Sequence, residues 1–303
     1  MKLYSKVSAY LLVFLFIFSF TNLAIADDSV LLEIEDPAYD DYGPGTYRYP
    51  TNEAFQDKGL FDIRYLSIRN SGDDEYQFKM VFSNLTDPWR SKLGFSLPLI
   101  EIYIGKQGSG ITELYREGAN INLHPDYPWS TLLKVSGWWV RAYKPEDRNE
   151  EENIWDAENH PADLGVQDIN LDVKANTITF DINKEIIGDL ENAHLYVLVG
   201  SYDPFGPGNF RTINDEVDSW HFFDLNQDNL EYAPRVLDII LPEGADQAAI
   251  LADFSEDYPT VVPIRIKVKS PKAIFIPYVF IFLLLFALVF FVWNKNPFIS
   301  NNK

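Results

Sequence analysis

Polar and apolar side chains alternate over short segments of this 303-residue chain. The clearest case is residues 76–82, where every second side chain is large and apolar, as a half-buried antiparallel strand requires. With residues 61–69 it predicts a hairpin around the polar turn at 70–73. The same criteria predict further strands at 30–35, 97–104, 132–143, 169–173, 177–182, 194–201, 220–223, 236–241 and 264–268. Helix is expected only in short turns near 184–188 and 245–254. The pattern favours an all-β fold, an antiparallel, jelly-roll-like β-sandwich.

Both ends of the chain are strongly apolar. Residues 1–26 combine two lysines, an apolar run and a final Ala-Ile-Ala, the pattern of a secretory signal. Residues 273–293 carry no charge and, at about 1.5 Å per residue, could cross a hydrocarbon core of about 30 Å as a helix. We therefore expect a signal peptide (1–26), a β-sandwich ectodomain (27–254), a juxtamembrane connection (255–272), a transmembrane helix (273–293) and a cytoplasmic tail (294–303).

The signal decides the expected orientation. More basic residues precede the apolar span than follow it, which would favour the opposite topology. However, a signal starts translocation and the next apolar segment stops it. We expect a single-pass protein of the cell membrane, with the ectodomain extracytoplasmic and the short tail inside.

Charge and cysteine content exclude some partners. The chain has 45 acidic and 25 basic side chains, a net charge of -20, and such a surface repels nucleic acid. This charge fits divalent cations, a high-salt habitat or simple solubility. The absence of cysteine excludes disulfides and thiolate metal sites.

Two acidic stretches are candidate calcium sites. Asp36, Asp40 and Asp41 precede a rigid Gly-Pro-Gly turn, where they form either a cation site or a solvated turn. Further along, three oxygen-bearing side chains alternate at Asp224, Asn226 and Asp228. An EF-hand loop needs glycine at its sixth position and an acidic residue at its twelfth, and this stretch has neither, so it is not an EF-hand. The alternative to a metal site is an acidic turn between strands. Calcium is the predicted cofactor, with a stabilising role.

Catalytic motifs are scarce. The four histidines are scattered without ligand spacing, and no GxSxG serine motif or nucleotide fingerprint occurs. A glycoside hydrolase needs only two carboxylates, so that activity stays open as a minor alternative.

Sugar binding needs flat rings with polar groups nearby. The candidate ligand-binding residues are Trp129, Trp138, Trp139, Asp203, Arg211 and Trp220.

Several segments resemble a known family. They are 36–50 with its Gly-Pro-Gly turn, 61–68, 93–104, 118–128, the VSGW sequence at 135–138, 199–211 with a second Gly-Pro-Gly turn, and 233–239. Through these segments the chain resembles the C-terminal module of glucodextranase and of pullulanase-type enzymes, a DOMON-like, sugar-binding β-sandwich. The resemblance implies a binding or surface-association module and supplies no catalytic residues.

The expected function is therefore a membrane-anchored extracellular module that binds carbohydrate, either a polysaccharide or a glycan of the cell envelope, without catalysis of its own. The alternative is a structural surface-layer or protein-interaction ectodomain with no sugar site.

Overall fold

The computed structural model describes residues 30–149, 162–165, 167–225 and 229–266. The predicted signal peptide, transmembrane helix and cytoplasmic tail lie outside these residues, as does the end of the predicted juxtamembrane connection. No helix within these four ranges is both long and apolar enough to span a membrane.

Short strands dominate the described residues. In chain order they are β1 Val30–Glu35, β2 Ile63–Asn70, β3 Glu75–Phe82, β4 Pro98–Gly105, β5 Asn122–Leu123, β6 Thr131–Ser136, β7 Val140–Tyr143, β8 Ile169–Lys174, β9 Thr177–Asn183, β10 His194–Ser201, β11 Ile213–Asn214, β12 Phe222–Phe223, β13 Val236–Ile240, β14 Thr260–Val261 and β15 Ile264–Arg265. The described residues also contain the short α-helices α1 Lys184–Ile187 and α2 Gln247–Leu251, and 3-10 turns at Glu53–Phe55, Pro145–Asn149 and Pro207–Asn209.

The first sheet has the strand order β1-β2-β3-β9-β8, and all of its pairings are antiparallel. The predicted hairpin of β2 and β3 is present. Along β3 and β9, buried side chains alternate with partly exposed ones. One face of this sheet therefore lies on the core and the other faces solvent, which is the arrangement that the alternating sequence predicted.

The second sheet has the order β13-β10-β4-β6-β7, and β15 extends the β13 edge by pairing with the start of β10. Its pairings are also antiparallel. Every residue of β4, β6 and β10 is buried. This sheet is thus covered on both faces, and its strands are close to continuous apolar runs.

Two apolar cores explain this burial. The first lies between the sheets and takes Leu66 and Phe78 from one and Ile102 and Val197 from the other. The second covers the outer face of the second sheet, where side chains such as Tyr103 pack under loops and short elements. The fold is an all-β sandwich of antiparallel sheets with an additional outer layer, and the predicted fold class is confirmed at this level. Strands β14 and β15 also belong to this fold, although both lie in residues 255–272, the segment that the sequence predicted to be a juxtamembrane connection.

The prediction of one strand over 132–143 was wrong. The chain turns between β6 and β7, which pair with each other as a hairpin. A Cβ atom on Gly137 would lie 1.4 Å from the carbonyl oxygen of Phe95, so only glycine fits at this close approach. The turn brings Trp138 and Trp139 to a strand end, whereas a continuous strand would point them to opposite faces.

A buried ion pair lies on the outer face of the second sheet. Lys134 on β6 and Glu101 on β4 are register partners, and their Nζ and Oε1 atoms are 3.1 Å apart. Their side chains are only 1% and 5% exposed. Lys134 Nζ also donates a hydrogen bond to the carbonyl of Gly208, at 2.8 Å. The pair therefore connects two central strands to the second Gly-Pro-Gly turn.

Removing one partner of this pair should be costly. We expect Lys134→Ala to lower the free energy of unfolding by about 3–5 kcal/mol, because Glu101 would be left as an uncompensated buried charge. Urea unfolding followed by circular dichroism measures this loss. The control is Lys79→Ala on the solvent-facing side of β3, which should cost less than about 1 kcal/mol. Equal losses in the two variants would contradict the role of the pair.

Candidate functional site

The turn between β6 and β7 is organised by one hydroxyl group. Ser136 Oγ accepts hydrogen bonds from the backbone N–H groups of Trp138 and Trp139, each at 3.2 Å. The backbone N–H of Ser136 donates to the carbonyl of Trp139 at 3.0 Å. These local bonds fix the backbone that carries both indole rings.

The two rings line a cleft at one end of the second sheet. The cleft has a volume of about 820 Å³, and its other lining residues include Trp89, Tyr202 and Asp163. Four of the lining side chains are therefore aromatic. The exposed Lys92 and the carboxylate of Asp163 are charged lining residues. Concave sites with aromatic walls and a few polar groups are typical of ligand-binding sites of this size.

Trp139 is held from two directions. The guanidinium carbon of Arg141 lies 4.2 Å from the centroid of its ring. Tyr202 meets the same indole edge to face, with centroids 6.0 Å apart and an interplanar angle of 74°. The Nε atom of Arg141 also donates to Asp163 Oδ1, so the guanidinium group that lies against the ring is paired with a carboxylate. Only 9% of Trp139 is exposed.

Asp203 and Arg211 are close in sequence to the cleft residue Tyr202, but their side chains make hydrogen bonds with the backbone. Arg211 is buried and donates from Nε to Ser201 Oγ at 3.1 Å and from Nη2 to the carbonyl of Tyr202 at 2.9 Å. Asp203 Oδ2 lies 3.8 Å from Arg211 Nη1, and Asp203 Oδ1 accepts from the N–H of Phe205 at 3.0 Å. Both residues thus position the turn that presents Tyr202.

The other two candidate rings lie elsewhere. Trp129 is 0% exposed, its indole N–H donates to the carbonyl of Glu113 at 2.7 Å, and it packs against Tyr103. Its ring therefore has no exposed face for a ligand. Trp220 is 47% exposed, but it is not among the residues that line the cleft.

The acidic loop that follows β1 meets a third carboxylate from a distant strand. Oxygen atoms of Asp36, Asp40 and Asp238 all lie within 4.8 Å of one another. Asp238 is a buried residue of β13. Asp62, also buried, acts electrostatically on all three carboxyl groups.

The environment of this cluster disfavours the simultaneous ionisation of its carboxyl groups, and the pKa of each of the three aspartates is raised. Burial, together with the neighbouring charges of Asp40 and Asp62, raises the pKa of Asp36 to about 8. Burial raises the pKa of Asp40 to about 6. Burial and the charges of Asp36 and Asp40 raise the pKa of Asp238 well above its ordinary value. The nearby Arg64 only partly opposes these shifts for Asp36 and Asp40.

The remaining predicted metal ligands have other surroundings. Asp41 is buried, and its Oδ2 accepts a hydrogen bond from the hydroxyl of Tyr49 and another from the N–H of Phe61 at 3.1 Å. Asp224 is buried and accepts from the hydroxyl of Thr46. Asn226 and Asp228 lie outside the described residues, so the second calcium site stays a prediction.

Sequence reasoning missed Trp89, Asp163 and Asp238. Trp89 and Asp163 lie in irregular segments, and no local pattern connects either of them with the β6–β7 turn. Asp238 did leave a signal, since it interrupts the apolar run Val-Leu-Asp-Ile-Ile. A carboxylate inside a buried strand needs a partner or a cation, and this could have been inferred from the sequence.

The described residues thus form an antiparallel sandwich with an aromatic cleft at one end of the second sheet. Residues 31–263 match the model of a family described as the C-terminal binding-module, SLH-like, of glucodextranase. The chain belongs to this family, and the resemblance noted in its sequence is confirmed. The family is one of binding modules and is not a catalytic domain. Comparison with curated proteins found no match.

The close approach at Gly137 can be tested directly. We expect Gly137→Ala to lower the free energy of unfolding by about 2–3 kcal/mol and to change the tryptophan fluorescence, because the added methyl group collides with the Phe95 carbonyl. Urea unfolding monitored by fluorescence measures both effects.

The control is Gly72→Ala, in a turn where a Cβ atom would meet no atom within 4 Å. Its φ of +83° makes this change cost about 1 kcal/mol, without altering the fluorescence of the folded protein. A Gly137 variant as stable as the Gly72 variant, with a wild-type spectrum, would contradict the proposed role of the turn.

Proposed function

We propose that this chain is a carbohydrate-binding module and that the aromatic cleft is its binding site. The observation that carries the proposal is the convergence of Trp89, Trp138, Trp139 and Tyr202 on one cleft. Membership of the family supports a binding module but does not identify the ligand, so the choice of carbohydrate is part of the proposal.

The chemistry of the cleft matches that of a sugar. A pyranose ring has apolar C–H faces that pack on flat aromatic rings, while its hydroxyl groups need donors and acceptors at the edges. In the cleft, Trp138 and Trp89 are partly exposed and supply ring surface. Lys92 can donate to a hydroxyl group, and Asp163 can accept from one.

One ring of the cleft, that of Trp139, is already fixed before a ligand arrives. Trp139 is clamped between Arg141 and Tyr202, and its backbone is held by Ser136. A site whose side chains are ordered in the free protein loses less conformational entropy on binding. This favours recognition of a weakly attractive polymer surface, in which each sugar unit contributes little.

We propose an α-glucan as the ligand class. The family takes its name from glucodextranase, an enzyme whose name indicates action on dextran-type glucans. A glycan of the cell envelope offers the same chemistry, so the experiment below includes both sources. The module binds its polymer without cleaving it, and incubation with dextran should therefore release no reducing sugar; release would support a glycoside hydrolase instead.

The proposed setting is the outer side of the cell membrane. It rests on the signal-like residues 1–26 and the apolar residues 273–293. An anchored module would hold a soluble or envelope polymer close to the cell surface.

A structural role at the cell surface is the second candidate. The term SLH-like in the family description favours it, because it links the family to surface-layer modules. In that role the chain would associate with envelope protein without a sugar site. It predicts sedimentation with envelope preparations that persists after the glycans are removed.

The first proposal predicts a specific dependence on cleft residues. In native gels containing dextran, pullulan or purified envelope polysaccharide, we expect at least one polymer to retard the protein. Trp138→Ala and Trp89→Ala should each weaken binding at least about tenfold, because each removes partly exposed ring area from the lining of the cleft.

Trp220→Ala is the matched control, since it removes an exposed indole outside the cleft and should leave the retardation unchanged. Circular dichroism of each variant shows whether it is folded. Absence of retardation by every polymer, or equal binding by wild type and a folded Trp138 variant, would refute the cleft as a sugar site.

A further inference from the structure

We propose that Asp36, Asp40 and Asp238 bind one calcium ion that ties the loop following β1 to strand β13. This inference is independent of the carbohydrate proposal. It also differs from the expectation of the sequence, which grouped Asp41 with Asp36 and Asp40.

The spacing of the carboxylates fits a calcium ion. Calcium binds oxygen ligands at about 2.3–2.6 Å, so oxygens on opposite sides of one ion are about 5 Å apart or closer. The oxygens of the three aspartates lie within 4.8 Å of one another. A single ion can therefore contact all three without a rearrangement of the backbone.

Unpartnered oxygen atoms provide a second, independent indication. Asp36 Oδ2 and Asp40 Oδ1 are buried and have no hydrogen-bond partner among the described residues, and the Asp36 residue is only 7% exposed. Asp62 Oδ1 lies beside them and likewise lacks a hydrogen bond. Leaving a buried carboxylate oxygen without a partner is costly, and a cation removes this cost.

The local charge is far from balanced. Arg64 Nε lies 3.7 Å from Asp62 Oδ1 and also donates to the backbone carbonyl of Asp36 at 3.3 Å. Its guanidinium group is thus one positive charge among the buried carboxyls of Asp36, Asp62 and Asp238 and the half-buried Asp40. A divalent ion would bring the sum much closer to neutrality.

The donor set selects the type of metal. All three candidate ligands are carboxylates, which hard cations prefer, and the chain has no cysteine. Asp238 is fixed within β13, because its oxygens accept from Ile63 N–H at 2.7 Å and Ile239 N–H at 2.8 Å. Asp40 is partly exposed, so water can complete an irregular shell of the kind that calcium accepts more readily than magnesium.

Asp41 has a different task. Its Oδ2 accepts from Tyr49 and from the backbone of Phe61, which fixes the adjacent aromatic residues. Asp41 Oδ1 is also buried without a hydrogen-bond partner among the described residues, but Asp41 is not one of the three residues whose oxygens lie within 4.8 Å of one another. Asp41 therefore holds the loop in place, while its neighbour Asp40 faces the proposed ion.

The proposed ion would fasten a loop that already rests on β13. Gly43 N–H donates to the carbonyl of Leu237 at 2.9 Å, and Gln247 Nε2 donates to the carbonyl of Asp40 at 2.6 Å. An ion between Asp40 and Asp238 adds a strong link between the same two segments. Calcium would then stabilise the folded domain directly.

The test uses the full-length protein in mild detergent, freed of metal and then measured with calcium chloride or with EDTA. We expect isothermal titration calorimetry to give one calcium ion per chain. The melting temperature in millimolar calcium should exceed that in EDTA by roughly 5 °C or more, because a ligand at about 100 times its Kd adds substantial stability to a domain of this size. Magnesium chloride at the same concentration should give a much smaller rise.

The variants Asp36→Asn and Asp40→Asn should each weaken calcium binding at least tenfold. In EDTA they should melt at or above the wild-type temperature, because asparagine removes one of several crowded, buried carboxyl groups whose ionisation is unfavourable without a cation. This result distinguishes a lost ligand from a damaged fold. Asp41→Asn should keep one calcium per chain, and Asp57→Asn, an exposed change of equal charge, should match the wild type throughout.

Three results would overturn the proposal. They are the absence of calcium binding to the wild type, identical melting temperatures in calcium and EDTA, and an Asp41 variant that loses calcium as completely as the Asp40 variant.

Discussion

The structure depends on one constraint, which is that the second sheet is apolar on both faces. Its inner face packs on the first sheet, and its outer face can stay dry only if another layer covers it. Loops and short strands supply this layer, and the buried pair of Glu101 and Lys134 connects the sheet to it through Gly208. The aromatic cleft lies where this covering layer meets the ends of β6 and β10. The proposed binding site is thus a product of the way in which the sheet is covered.

The alternating pattern was sufficient to predict strands β3 and β9 of the first sheet, because buried side chains alternate with partly exposed ones along both. The second sheet was harder. In residues 132–143 both strands of a hairpin are buried on almost every side chain, so no alternation of buried and exposed positions could reveal the turn between them. The change of chain direction depends on the close approach of Gly137 to Phe95. The two residues are distant in sequence, so a local sequence pattern does not predict this contact.

The candidate sites show the same limit. Trp138 and Trp139 could be selected from the sequence because adjacent tryptophans are conspicuous, but Trp129 was indistinguishable from them although it is core. Trp89 joins the cleft through tertiary packing alone. In the acidic cluster, the loop aspartates were recognisable from composition, whereas Asp238 comes from a strand about 200 residues further along the chain. Residue types were predictable, and the partners brought by the fold were not.

Hydroxyl-radical footprinting with mass spectrometry can show whether the cleft of Trp89 and Trp138 binds a glucan. The rate of oxidation of each tryptophan is compared in the free protein and in the protein saturated with dextran oligosaccharide. We expect that oxidation of Trp89 and Trp138 slows severalfold while that of Trp220 is unchanged. Unchanged oxidation in the cleft, or protection of Trp220 instead, would contradict it.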